Sequence, residues 1–70
     1  MDNKLYSIVT NPGEKCPIFK NIVPKKSVTV ICNIEDAPEV KKQLAAEYGT
    51  TVNRYHTDNN RMVYMQPCFR

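Results

Sequence analysis

Four side chains in this sequence belong to the types that bind zinc: Cys16, Cys32, Cys68 and His56. Zinc takes thiolate and imidazole ligands in tetrahedral sets, so Cys₃His is a legitimate stoichiometry. Structural zinc sites, however, draw two ligands from one tight turn, as in Cys-x₂-Cys, and no such pair occurs here. Cys32 also falls on the inward face of a strand, where a thiol acts as a small hydrophobe. The sequence therefore points to no metal site. A Cys–His nucleophile is the next arrangement, with His56 acting on Cys16 or Cys68 and Asp58 orienting the imidazole. Neither thiol opens a capped helix whose dipole would depress its pKa. With only Gly13 and Gly49 in the chain, no glycine-rich phosphate cradle can form. Base, nucleophile and anion hole do not converge. The expectation is a non-enzyme without a cofactor.

Seventy residues make one domain, 1–70, and a chain that short buries only about 60% of its unfolded surface. Its apolar fraction of 41% is that of a globular protein. The net charge of +3 is mildly basic, and the cations are scattered apart from Lys25-Lys26 and Lys41-Lys42. Nucleic-acid domains cluster such charge on one face. The N-terminal stretch MDNKLYSIV has no apolar run suited to a signal peptide or a membrane span. With an odd number of cysteines, the reading is a cytoplasmic chain with reduced thiols and no membrane partner.

The elements that would position these groups are legible. LYSIVT, residues 5–10, mixes β-branched and aromatic residues and ends at Asn11-Pro12-Gly13, a turn signal. KCPIFKNIVPKKS, residues 15–27, carries Pro17 and Pro24, which forbid a central strand. It reads as an ordered loop or an edge segment, with Ile18, Phe19, Ile22 and Val23 tucked onto the core. SVTVICNI, residues 27–34, alternates at period two, with Val28, Val30, Cys32 and Ile34 on one face and Thr29, Ile31 and Asn33 on the other. DAPEVKKQLAAEYG, residues 36–49, reads as a helix. Asp36 and Glu39 form a capping-box pattern, Pro38 fits the first turn and Gly49 the left-handed stop. Ala37, Val40, Leu44 and Tyr48 form its apolar stripe. TTVNRYHTDNNRMVYMQ, residues 50–66, reads as a hairpin about Asp58-Asn59-Asn60. The fold class is α+β: a small antiparallel sheet of about four strands with one helix packed on one face, in the order β-loop-β-α-β-β.

One helix of about 12 residues covers roughly 18 Å, one side of such a sheet. The other side meets water or a partner. A hairpin loop of even length would put Asn53, Tyr55, Met62, Tyr64 and Gln66 on one side and Val52, Arg54, His56, Val63 and Met65 on the other. A three-residue loop with a bulge would break that pairing. The favoured arrangement turns the aliphatic set to the helix. It leaves Tyr55, Met62 and Tyr64 outward beside Ile31, with Tyr6 and Ile8 joining them if the first strand is so turned. The reverse arrangement exposes Arg54, His56, Val63 and Met65 instead. A further reading folds the loop at residues 15–26, with Phe19 and Ile22, over the open face.

Apolar patches of this kind mark macromolecular contacts, and Tyr and Arg dominate binding hot spots. The expected function is that of a small inhibitor or accessory regulator, of the type phages encode. It would occupy a larger protein through the open sheet face and the C-terminal hairpin. Tyr55, Tyr64, Arg54, Arg61, Ile31 and Tyr6 are the expected contact residues, and a homodimer through the same face is an additional expectation. The alternative is an RNA-type single-strand binder, with Tyr stacking on bases and Lys25, Lys26, Arg54 and Arg61 on phosphates.

Overall fold

The structure, a computed structural model, describes residues 4–67. Strand β1 is Tyr6–Thr10, and a short hairpin of β2, Lys15–Cys16, and β3, Asn21–Ile22, follows. Strand β4 is Thr29–Asn33, succeeded by a 3-10 turn over Ile34–Asp36 and helix α1, Ala37–Tyr48. Strands β5, Val52–Asp58, and β6, Met62–Pro67, complete the order. The main sheet has four strands in the order β1-β4-β6-β5, and every neighbouring pair is antiparallel. The α+β class expected from the sequence is the observed one.

Strands β4 and β5 run parallel with β6 between them, so α1 carries the chain across β6. Its apolar stripe faces the sheet: Val40 and Leu44 are fully buried, and Ala37 and Tyr48 pack at the margins. Beneath them lie Tyr6, Val28, Val30, Cys32, Val63 and Met65. Gly49 ends the helix at φ 68°, with its N–H on the Ala45 carbonyl at 2.8 Å. That left-handed stop favours glycine. The capping box does not form. Asp36 has helical backbone angles, φ −90° and ψ −4°, and no side-chain cap bond. An N-cap needs extended backbone to aim its oxygen at the first-turn N–H groups, and the preceding 3-10 turn removes that geometry.

The Pro-flanked segment is stitched rather than loose. Gly13 N–H donates to the Val23 carbonyl at 2.8 Å, and Val23 N–H donates to the Glu14 carbonyl at 2.9 Å. Val23 is fully buried and Ile18 and Phe19 half-buried, as expected, but Ile22 is 68% exposed. A two-residue ladder pairs Lys15 with Ile22 and turns that side chain out.

Candidate functional site

Strand register decides what each face of the sheet presents. Directly opposed residues share a side. The helix side therefore holds Tyr6, Ile8, Val30, Cys32, Val63, Met65, Tyr55 and Thr57. The outer side holds Ser7, Ile31, Asn33, Met62, Tyr64, Gln66, Arg54, His56 and Asp58. This corrects the even-loop reading of the hairpin. Asp58 opposes Met62, so the loop holds three residues, with Asn59 at φ 55° and Asn60 at φ 54°. The two asparagines make the tight turn, and Arg61 is the extra residue that shifts parity. Tyr55 and Tyr64 therefore lie on opposite faces.

Among the expected contact residues, Tyr64, Ile31 and Arg54 share the outer face. One row crosses all four strands: Ser7, Ile31, Tyr64, His56. Ile31 and Tyr64 are half-buried, Ser7 and His56 exposed. The His56 and Tyr64 rings lie 6.3 Å apart at a 44° tilt. Arg61 sits at the hairpin tip, beside Asn33, Ile34, Glu35 and Asn60. Its carbonyl accepts from Ile34 N–H at 2.9 Å, which ties the tip to the end of β4.

Tyr6 faces the helix and is 7% exposed. Its phenol donates to Glu47, with Oε1 at 3.0 Å and Oε2 at 2.9 Å. Burial first, then that hydrogen bond and the Glu47 charge, push the phenol up to about 12. Tyr6 is a latch between β1 and α1, not a surface contact. Tyr55 is 68% exposed on the helix side. It borders a groove of about 530 Å³ between α1 and the hairpin, with Ala37, Val63 and Met65 at its base and exposed Pro38, Lys41 and Ile34 at its mouth.

The nucleic-acid quartet is not gathered into one patch. Arg54 lies on the outer face and Arg61 at the tip. Lys26 borders a depression with Ala46, Glu47, Tyr48 and Gly49, at the C-terminal end of α1. A cation is favoured there by the helix dipole.

The outer face is not wholly open. Its lower part holds Thr10, Thr29 and Gln66, each at most 2% exposed, and fully buried Cys16 of β2 lies against Thr10 and Thr29. Thr29 Oγ1 donates to Gln66 Oε1 at 3.2 Å. Thr10 Oγ1 lies against the Cys16 sulfur and has no oxygen or nitrogen partner. Burial pushes the Cys16 thiol up, but its contacts with the Thr29 hydroxyl, the Phe19 and Ile18 backbone and the Thr10 hydroxyl outweigh it and leave the thiol below its ordinary value. Local sequence gives no sign of this, because Thr10 and Thr29 come from two other strands. Cys32 lies under the helix, with its thiol raised by burial and then by Asp36. Cys16 and Cys32 thus occupy opposite faces of the sheet and cannot share one ion. No cluster of three metal-ligating side chains occurs among the described residues, and Cys68 lies outside them.

No helix is long and apolar enough to cross a membrane among the described residues. Comparison with models of protein families, with curated proteins and with solved structures finds no match.

Proposed function

We propose that this chain is a non-enzymatic binding protein, a small inhibitor or accessory regulator that seats the open part of its outer sheet face on a larger protein. The observation that carries this reading is the uneven cover of that face. The Thr10, Thr29 and Gln66 end is sealed, with Cys16 against Thr10 and Thr29, while the next row is part-open: Ser7 and His56 are exposed and Ile31 and Tyr64 half-buried. Half-buried apolar side chains, Ile31 and Tyr64, flanked by exposed Arg54 and His56 make a centre-and-rim pattern. Aromatic residues and arginine are the side chains that carry binding energy in such patches. Arg61 extends the patch to the hairpin tip. The contact set is therefore Ile31, Tyr64, Arg54 and Arg61, with Tyr55 turned to the opposite side.

The test is affinity capture from the cell of origin with nuclease-treated and untreated arms. The wild type is compared with an Arg54→Glu/Tyr64→Ala variant and with Ile22→Ala on the covering hairpin. A protein retained by wild type and Ile22→Ala, and bound at least about 2 kcal/mol more weakly by the face variant, supports the reading. Equal retention by the face variant refutes it. Recovery of nucleic acid alone, lost on nuclease treatment, would replace it with the single-strand reading.

A further inference from the structure

Strand β5 is the outermost strand of the sheet, and six of its seven residues are exposed. Its regular stretch is short and sharply bounded. A register irregularity falls between Val52 and Arg54, and the turn begins at Asn59. Pairing of a further strand is thus confined to residues 54–58. Arg61 N–H donates to the Asp58 carbonyl at 3.2 Å, so Asp58 turns its main-chain groups toward β6. In an antiparallel ladder these directions alternate, which aims the groups of Thr57 and Tyr55 out of the sheet. Natural edges are guarded by charged side chains, above all lysine, by proline, by bulges or by a covering segment. The charges of β5, Arg54 and Asp58, are of opposite sign and so do not repel a second copy laid antiparallel. Residues 54–58 contain neither proline nor lysine. The opposite edge, β1, has a bulge between Ile8 and Thr10, Pro12 after it and β2 in contact with it.

We propose that a second copy of this chain pairs with β5 edge to edge, antiparallel, to give one eight-stranded sheet across a two-fold axis. The register follows from the bounds of the regular stretch. Its middle residue is His56, so a self-pairing that uses all of 54–58 places the axis there. Arg54 then opposes Asp58 of the second copy, and the pair occurs twice. Tyr55 opposes Thr57, also twice, and His56 opposes its own counterpart. Neighbouring registers fit less well. An axis at Tyr55 sets Arg54 against His56 and runs the Asn53 irregularity into Thr57. An axis at Thr57 leaves only residues 56–58 paired within the strand.

The same register gives the groove an occupant. Tyr55 of the second copy, beside Thr57 on the helix side, lies over the mouth bordered by Pro38, Lys41 and Ile34. Its exposed ring gains cover, and the apolar floor loses contact with water. On the other side, the Tyr64 and His56 rows of the two copies join into one wider outer face. This goes beyond the binding reading above, which stands on a single copy's outer face.

Sedimentation of the full chain from about 1 μM to about 1 mM, the span of weak self-association, should show a concentration-dependent dimer. The register is read by cross-linking. Counterparts at a non-hydrogen-bonded antiparallel pair sit with Cα atoms about 4.5 Å apart, within disulfide reach. Under mild oxidation, His56→Cys should give a dimer linked through residue 56, mapped by mass spectrometry. Tyr55→Cys should not link through residue 55, and the wild type sets the background from native thiols. Asp58→Arg should weaken the dimer about tenfold, and Arg54→Asp/Asp58→Arg should restore it. A monomer at every concentration overturns the proposal. So does a dimer linked through residue 55 rather than 56, one linked through neither, or one indifferent to the charge changes.

Discussion

Replacing Tyr6 by Phe removes one oxygen and should make the chain's stability less sensitive to alkali. The phenol of Tyr6 holds both Glu47 carboxylate oxygens, and its pKa is pushed up from 10.0 to about 12 by burial and by Glu47. A raised folded-state value means that the fold favours the neutral phenol. The stabilisation is complete below pH 10 and declines as pH climbs through 10 towards 12. Two pKa units correspond to an upper bound of about 2.7 kcal/mol. Glu47 is itself exposed, so water screens its share, and about 1 kcal/mol is the expected size. The assay is urea unfolding of wild type and Tyr6→Phe at steps between pH 8 and 12. The wild type should lead by about 1 kcal/mol at pH 8 and lose that lead by pH 12. The Lys4 Nζ lies 5.8 Å from the Tyr6 ring centroid and would remain over a Phe ring, so that contact is common to both proteins. Tyr48 is raised too, by burial and then Glu47, and is present in both proteins. A wild-type lead that stays constant from pH 8 to pH 12 would refute the latch.

Two further outcomes probe the core and the seal. Leu44→Ala, at a fully buried position of α1, should cost about 3 kcal/mol in the same unfolding assay. Ile22→Ala, 68% exposed, should stay within about 0.5 kcal/mol, and equal costs would mean the helix does not pack as described. Cys16 should resist alkylation at neutral pH until the chain opens, in spite of its lowered pKa, because it has no solvent-exposed surface. Peptide mapping after a timed iodoacetamide pulse measures this, and labelling as fast as in urea would show that the covering hairpin is open in solution.

The sheet, the helix and their packing were legible because each carries a local signal. Alternation marks β4, the stripe Val40–Leu44 marks α1, and Gly49 marks its end. The faces of the hairpin were not legible. Side-chain sidedness turns on loop length by one residue, and Asn59, Asn60 and Arg61 read equally well as part of a shorter or longer loop. The bulge at Asn53 was hidden for the same reason. It lets Val52 pack on the core while Tyr55, three residues on, also faces the helix side. The Asp36 cap failed because the 3-10 turn before it is set by tertiary contact: Ile34 N–H is held by the Arg61 carbonyl from the far hairpin. The Cys16 environment is likewise non-local, assembled from β1, β4 and the turn after β2.

That buried polar cluster also explains why the outer face is open only in part. A covering segment held by apolar contact alone could slide along the sheet, since such contact has no direction. Hydrogen-bonded groups away from water tolerate no such slip, because each displaced donor or acceptor would stay buried and unpaired at about 1–3 kcal/mol. Cys16, its sulfur set against Thr29 and Thr10, is the polar point at which residues 11–26 meet this end of the sheet, and Thr29 is held in turn by its bond to Gln66. The chain thus has two kinds of cover. One is the helix, broad and apolar, which makes the core. The other is the short hairpin, narrow and polar-locked, which stops where the Thr29–Gln66 row stops. The next row, Ile31 with Tyr64, is only half-buried, and β5 forms the outer edge of the sheet. A domain this small has little spare stability to lose through an idle apolar row and an uncovered strand edge. Both are accounted for if they are contact surfaces, the face for a larger protein and the edge for a second copy.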